Sequence, residues 1–144
     1  EGILKAEIAW MCTGNPYIGV PGVSNHKGLE TVLRKLKEQG LKRVYECYDM
    51  DKMMELSCKH DEKSACRQCE HGIYLYHGEC PKKRRKRDMI RKGCIKLYEI
   101  CEELNVSCKR VTWDTDASGT WMEHYKGVDD WILQKEEKEH RKTA

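Results

Sequence analysis

The clearest pattern in the chain is a helical repeat of apolar residues that begins soon after a Pro-Gly turn. Apolar side chains recur there at i, i+3, i+4 and i+7, the spacing of one face of an amphipathic helix: Leu29, Val32, Leu33 and Leu36. Ser24 or Asn25 is placed to cap the start of this helix, and Gly40 is placed to end it. The pattern therefore predicts a helix with one buried face.

Three other segments are predicted to be helical. A buried stripe in steps of four and three predicts the longest of them: Ile90, Cys94, Leu97, Cys101 and Leu104. Another helix is expected just after Gly2, from the approximate helical spacing of Ile3, Leu4, Ile8 and Met11. The segment after Gly127 predicts a short helix that passes into a charged tail. The spacing assigns Cys94 and Cys101 to the core.

Short apolar runs at residues 17–20, 43–48 and 108–113 predict strands between these helices. Strands alternating with helices indicate an α/β fold with a small parallel sheet and crossover helices. Glu46 is the exception, because a strand buried on both faces is normally apolar. Its partner is left open at this point.

Asp49 and Asp51 follow the second predicted strand. Side chains at i and i+2 of a strand share a face, and ligands of parallel sheets bind at the carboxyl ends of strands. Two carboxylates about 4 Å apart repel by roughly 1 to 4 kcal/mol, so one pKa is expected to rise unless a cation joins them. Magnesium, or manganese in its place, suits such a pair. The plainer interpretation is a pair of turn and cap residues.

Composition fits a single domain spanning residues 1–144. No apolar run approaches the roughly 20 residues of a membrane span, and no signal peptide is evident, so we expect a cytoplasmic protein without a membrane partner. The chain begins abruptly at Glu1, which favours a domain cut from a longer protein. The mean hydropathy of -0.82 leaves a modest apolar core.

Residues 52–87 lose regular periodicity and are interpreted as an inserted, cysteine-rich and basic segment. Cys66 and Cys69 form a C-x-x-C pair, and Cys58 and Cys80 would complete a tetrahedral zinc site. This segment has too few aliphatic residues to build a hydrophobic core of its own, so a bound metal ion would explain how it could be ordered. The alternative is a flexible insertion with free thiols.

A basic run closes this segment with six consecutive cations: Lys82, Lys83, Arg84, Arg85, Lys86 and Arg87. Cations at the start of a helix oppose its dipole, so a polyanionic partner such as DNA or RNA would explain them better than helix stability does. A solvated loop tip and a nuclear-import signal are the other interpretations.

Four motifs in this order resemble the Toprim domain shared by bacterial replicative primases, topoisomerases and some nucleases. They are E-G-x-x-K-A from Glu1, the turn PGVSN at residues 21–25, D-x-D at Asp49 and Asp51, and G-x-D-D from Gly127. The turn and the KGVDD ending are most similar to Toprim-like domains of phage and mobile-element primase or replication proteins. The resemblance covers residues 1–51 and 109–133. In the family a strand runs into the motif glutamate, whereas this sequence begins at that glutamate, so either the strand has been left out or the chain is a fragment.

The resemblance implies a role for each motif. Glu1 would act as a general acid or base in making or breaking a phosphodiester, and Asp49 and Asp51 would hold magnesium. Asp129 and Asp130 would lie near the same edge as a further ligand or a nucleotide contact.

Lys5 would face a phosphate by the same resemblance. Plainer interpretations remain for two of these residues, since Asp129 also suits a helix N-cap and Lys5 a solvated first turn.

The function implied is magnesium-dependent nucleotidyl transfer of the primase type, on DNA or RNA with nucleoside triphosphates, within a longer replication protein. A topoisomerase is disfavoured because nothing here supplies a tyrosine nucleophile domain. A Toprim-type nuclease uses the same acidic set. A non-catalytic nucleic-acid-binding module, dependent on residues 82–87 alone, is the alternative of another class.

Overall fold

Four α-helices, one 3-10 helix and two β-strands form the part of the chain that the computed structural model describes, residues 2–57 and 79–143. The elements in order are α1 (Ile3–Thr13), α2 (His26–Glu38), β1 (Arg43–Glu46), a 3-10 helix (Met50–Met53), α3 (Pro81–Glu103), β2 (Ser107–Arg110) and α4 (Val128–Thr143). The α/β class predicted from the sequence is therefore confirmed. Residues 52 and 53 of the predicted insertion lie in the 3-10 helix, and residues 81–87 form the start of α3.

The two strands lie side by side and run parallel, with Arg43 opposite Ser107 and Glu46 opposite Arg110. One more backbone bond extends the pairing, from the Val111 N–H to the Glu46 carbonyl at 2.9 Å. The parallel pairing was expected, since a helix connects the strands. Both strands are shorter than the sequence predicted, and β1 ends before Tyr48.

The strand predicted at residues 17–20 does not form. The Val20 carbonyl instead accepts a hydrogen bond from the Gly2 N–H at 2.8 Å, so this segment is held at the start of α1. The prediction was wrong because a short apolar run carries no information about which backbone will pair with it.

The main core lies between α2, α3 and the sheet. The stripe predicted for α3 is buried at every position: Ile90, Cys94, Leu97, Cys101 and Leu104. On α2, Leu29 and Leu33 are buried, whereas Val32 is exposed and Leu36 is half-buried. The buried face of α2 is thus narrower than its sequence pattern suggested.

Helix α1 forms where it was predicted, but its expected apolar face does not pack into the core. Ile3, Leu4 and Met11 are exposed, and Ala9 is the buried residue of this helix. Helix α1 packs against α4. Helical spacing located the helix correctly and misassigned the side that faces the protein.

The caps predicted for α2 are partly observed. Asn25 occupies the N-cap position, although its side chain makes no capping hydrogen bond. The helix ends at Glu38, and Gly40 follows with a φ of 97°, a left-handed conformation that glycine adopts without strain. Gly40 therefore ends the helix as the sequence predicted.

The predicted core thiols are confirmed. Cys94 and Cys101 are fully buried between α3 and its neighbours. Burial raises the pKa of Cys94 to about 11 and that of the neighbouring Cys108 to about 12. These thiols stay protonated at neutral pH and are suited to packing rather than to nucleophilic chemistry.

Gly93 is the position on α3 where the helix approaches the turn before α2. A Cβ atom there would lie 2.8 Å from the Val23 Cβ and 3.0 Å from the Val23 carbonyl oxygen. Gly93→Ala is expected to destabilise the protein by about 1 to 2 kcal/mol, because the overpacking exceeds the roughly 1 kcal/mol gained in helix propensity. Urea unfolding measures the change. Gly22→Ala is the matched control, since its Cβ would meet nothing within 4 Å; equal stabilities would contradict this packing.

Among the helices described, none has both the length and the apolar content needed to cross a membrane.

Candidate functional site

Two buried aspartates lie just beyond the end of β1. Asp49 precedes the 3-10 helix and is 3% exposed, and Asp51 lies within that helix and is 1% exposed. Strand alternation does not bring them together, because β1 ends at Glu46. The tight 3-10 turn does so instead. The sequence located the pair correctly and gave the wrong geometric reason for its convergence.

Three lysines from three different elements neutralise these carboxylates. Lys5 of α1 places its Nζ atom 3.0 Å and 3.2 Å from the two Asp49 carboxylate oxygens. Lys86 of α3 lies 3.1 Å from Asp51 Oδ2. Lys126, which precedes α4, lies 3.0 Å from Asp49 Oδ2 and 3.1 Å from Asp51 Oδ2. One ammonium group therefore touches both carboxylates, so they face a common point.

The charge balance of the site differs from the one expected of an isolated aspartate pair. Burial acts to raise the pKa of Asp49, but hydrogen bonds and charge from Lys126 and Lys5 outweigh it and hold that pKa below its usual value. Burial likewise acts to lower the pKa of Lys126, and Asp49 and Asp51 overcome it and raise that pKa. The rise expected of one carboxyl pKa in the absence of a cation therefore does not occur at Asp49, because the lysines supply the positive charge.

The backbone around the aspartates is tied to the same loop that carries Lys126. The Met50 N–H donates to the Lys126 carbonyl at 2.9 Å, and the Met50 side chain is fully buried. It packs with Trp113 and Trp121 in a second small core. Both indole N–H groups donate to the Tyr125 carbonyl. The backbone that carries the aspartates is thus anchored to a packed hydrophobic cluster.

Glu46, whose partner the sequence left open, belongs to a buried polar network directly behind the aspartates. Its Oε1 atom accepts from Lys52 Nζ at 2.7 Å and from the Tyr48 N–H at 2.7 Å. Its Oε2 atom accepts from the Tyr98 hydroxyl at 3.0 Å and from Arg110 Nε at 3.3 Å. Burial raises the pKa of Tyr98 to about 12, so the hydroxyl keeps the proton that it donates.

None of the side chains that bond Glu46 was identified from the sequence, and Lys52 is the fully buried one among them. It is completely buried, also donates to the Val111 carbonyl at 3.0 Å, and lies 5.3 Å from the centre of the Trp113 ring. Because Lys52 follows Asp51 directly, the Glu46–Lys52 pair fixes the turn that presents both aspartates. The spacing of six residues between Glu46 and Lys52 carried no recognisable signal.

The G-x-D-D motif contributes one buried aspartate. Asp129 is 7% exposed, and its Oδ1 atom has no hydrogen-bond partner in the described part of the chain. Helix α4 begins at Val128, so Asp129 lies inside the first turn and is not the N-cap. A Cβ atom on Gly127 would lie 2.2 Å from Asp129 Oδ1 and 3.1 Å from Lys5 Nζ. Asp129 is therefore beside the lysine-aspartate cluster, whereas Asp130 is exposed.

The basic run forms the second to seventh residues of α3. Its members have different neighbours: Lys83 donates to the Ser57 carbonyl, Arg84 pairs with Glu79, Lys86 pairs with Asp51, and Arg87 lies near Asp88. Lys82 and Arg85 are exposed and form no ion pair with any described residue. The run is thus part of a regular helix and reaches the aspartates through Lys86.

Several predicted site residues lie outside the described residues: Glu1, Cys58, Cys66 and Cys69. Cys80, the fourth thiol of the predicted zinc site, is buried at the N-cap of α3, and its N–H donates to the Leu56 carbonyl at 2.7 Å. Within residues 2–57 and 79–143, no three His, Cys, Asp or Glu side chains are grouped to hold a metal ion. Among the described residues, Asp49 and Asp51 are therefore a pair of carboxylates without a third side chain of these types grouped with them.

Comparison of the chain with protein-family models, with curated proteins and with solved structures gives no match.

Proposed function

We propose that this chain is a Toprim-like domain of a DNA replication protein and that it carries out magnesium-dependent nucleotidyl transfer of the primase type. The observation that supports this most strongly is the single ammonium group of Lys126 in contact with both Asp49 and Asp51. Two buried carboxylates that already share one cation are arranged to share another. A turn that needed only polar residues would not bury both of them.

The donor set fits magnesium. This ion prefers oxygen ligands and is usually held by one or two protein carboxylates together with water and substrate phosphates. Asp49 and Asp51 would hold it, while Asp129, whose buried Oδ1 atom has no hydrogen-bond partner among the described residues, lies beside Lys5 of the same cluster. When bound, the metal would neutralise phosphate charge and orient the reacting oxygens. Glu1 keeps the acid-base role that the resemblance implies.

A nucleic-acid path to the site is supported by the face of α3 that carries Lys82, Arg85 and Lys86. These residues are at i, i+3 and i+4, so they lie on one side of the helix. Lys86 contacts Asp51. Lys82 lies one turn before Lys86 and Arg85 directly precedes it, and neither forms an ion pair with a described residue. A template strand whose phosphates bind along this face would extend to the carboxylates of Asp49 and Asp51.

The test is primer synthesis by the chain on a single-stranded template with Mg²⁺ or Mn²⁺ and nucleoside triphosphates. Template-dependent oligonucleotides support the proposal. Degradation of the template under the same conditions would instead assign the site to a Toprim-type nuclease. Nucleic-acid binding with neither primer synthesis nor template degradation would contradict catalysis and favour the non-catalytic binding module.

A non-catalytic nucleic-acid-binding module is the second candidate, and one observation favours it. The carboxylates are already neutralised by Lys5, Lys86 and Lys126, so they have structural partners in the protein itself. In this case binding depends on the basic face of α3 and is indifferent to Asp49.

Lys82→Gln and Arg85→Gln together are expected to weaken nucleic-acid binding in either case. Each lost phosphate contact lowers the slope of log K against log salt by about 0.9 for duplex DNA and about 0.7 for a single strand. Fluorescence anisotropy at several salt concentrations measures the slope. Lys96→Gln is the control, because Lys96 lies further along α3 and pairs with Glu99. An unchanged slope in the double variant would show that this face does not bind phosphate.

A further inference from the structure

The three lysines of the site are not equivalent. Lys5 contacts Asp49 and Lys86 contacts Asp51, whereas Lys126 contacts both. The Lys126 side chain is 46% exposed, while its carbonyl is held by the Met50 N–H. The Lys126 backbone is therefore fixed beside the aspartates, whereas its side chain is exposed enough for the ammonium group to move.

We propose that the Lys126 ammonium is an internal cation that joins Asp49 and Asp51 in the metal-free protein, and that it moves onto a phosphate of the bound nucleoside triphosphate when a divalent cation takes its place. This inference rests on the proposed function and adds a residue that selects a polyphosphate substrate. The Lys126 side chain makes a competing contact before the metal binds and a productive one afterwards.

The electrostatics of the aspartate pair explain why such a residue is useful. Two buried carboxylates facing a common point repel by roughly 1 to 4 kcal/mol without a cation between them. An ammonium group relieves this repulsion and keeps the 3-10 turn in place. A divalent cation supplies twice the charge at the same point, and the displaced ammonium is then repelled by the metal and attracted to the phosphate anions that the metal brings.

A buried carboxylate in the first turn of α4 indicates independently that a further group belongs there. Asp129 Oδ1 is buried without a hydrogen-bond partner among the described residues, two positions beyond Gly127 and close to Lys5 Nζ. Leaving a buried carboxylate oxygen unsatisfied is costly. A cation or its bound water entering beside Asp129 would satisfy this oxygen as the lysine leaves.

The experiment compares the wild type with Lys126→Met, with Lys86→Met as a matched control that removes the same charge from a single carboxylate. Calorimetry with Mn²⁺ measures competition, and calorimetry with inorganic triphosphate in saturating Mn²⁺ measures the phosphate contact. Lys126→Met is expected to bind Mn²⁺ about tenfold more tightly and manganese triphosphate about tenfold more weakly. Lys86→Met is expected to gain less Mn²⁺ affinity than Lys126→Met.

Lys126→Arg keeps the positive charge and is expected to bind both ligands within about threefold of the wild type. Equal Mn²⁺ affinities for Lys126→Met and Lys86→Met, or a tighter Mn²⁺ site without weaker triphosphate binding, would overturn the role of Lys126 and leave the proposed function intact. Absence of Mn²⁺ binding in the wild type and in every variant would overturn the metal site itself.

Discussion

Replacing Lys52 with methionine is expected to lower the free energy of unfolding by about 3 to 5 kcal/mol. The Lys52 and Glu46 side chains are both fully buried, and their charged atoms lie 2.7 Å apart. The methionine leaves Glu46 as a buried carboxylate whose nearest remaining cation, Arg110, is partly exposed at 3.3 Å. Loss of this size is a large fraction of the 5 to 15 kcal/mol that stabilises a typical domain.

Urea unfolding of three variants tests this expectation. The double variant Glu46→Gln with Lys52→Met removes both charges and is expected to recover most of the stability, because no uncompensated buried charge remains. The control is Arg34→Ala, which breaks the exposed pair with Glu30 and is expected to cost less than about 1 kcal/mol. A Lys52→Met variant as stable as the Arg34→Ala control would contradict the buried pair.

Asp49→Asn is expected to reduce nucleotidyl transfer more than about a hundredfold while leaving nucleic-acid binding nearly unchanged. Losing even a partner of a metal ligand commonly costs 10- to 100-fold, and loss of the ligand itself should cost more. The basic face of α3 does not contact Asp49, so template binding is preserved. Primer-synthesis rates and anisotropy on the same preparation separate the two effects.

Asp130→Asn is the matched control for this substitution. The resemblance placed Asp130 near the metal edge, but its side chain is exposed and makes no contact with the lysine-aspartate cluster among the described residues. The same chemical change there is therefore expected to keep activity within a few-fold of the wild type. Equal activities of Asp49→Asn and Asp130→Asn would argue against a catalytic metal at Asp49.

Periodicity and motif spacing predicted the helices and the aspartate pair, but not what surrounds them. The α3 stripe is regular over several turns, so its burial could be predicted with its register. The buried face of α1 could not be predicted in this way. Ile3 and Met11 have helical spacing but are exposed, so apolar spacing identifies a helix without identifying the side that packs.

The cations of the site were the largest omission. Nothing in the sequence distinguishes Lys52 and Lys126 from ordinary surface lysines. Only the fold shows that Lys52 is buried and that Lys126 bridges two carboxylates. Lys126 directly precedes the G-x-D-D motif, which was the one available indication. Long-range ion pairs join positions far apart in sequence, so local patterns do not predict them.

Manganese binding is the most direct test of a divalent-metal site at Asp49 and Asp51. Calorimetry or paramagnetic broadening as Mn²⁺ is added would compare the wild type with an Asp49→Asn, Asp51→Asn double variant whose fold is verified by circular dichroism. Saturable Mn²⁺ binding by the wild type and its loss in the double variant are expected. Identical behaviour of the two proteins up to millimolar Mn²⁺ would contradict the metal site and make the aspartates structural partners of Lys5, Lys86 and Lys126.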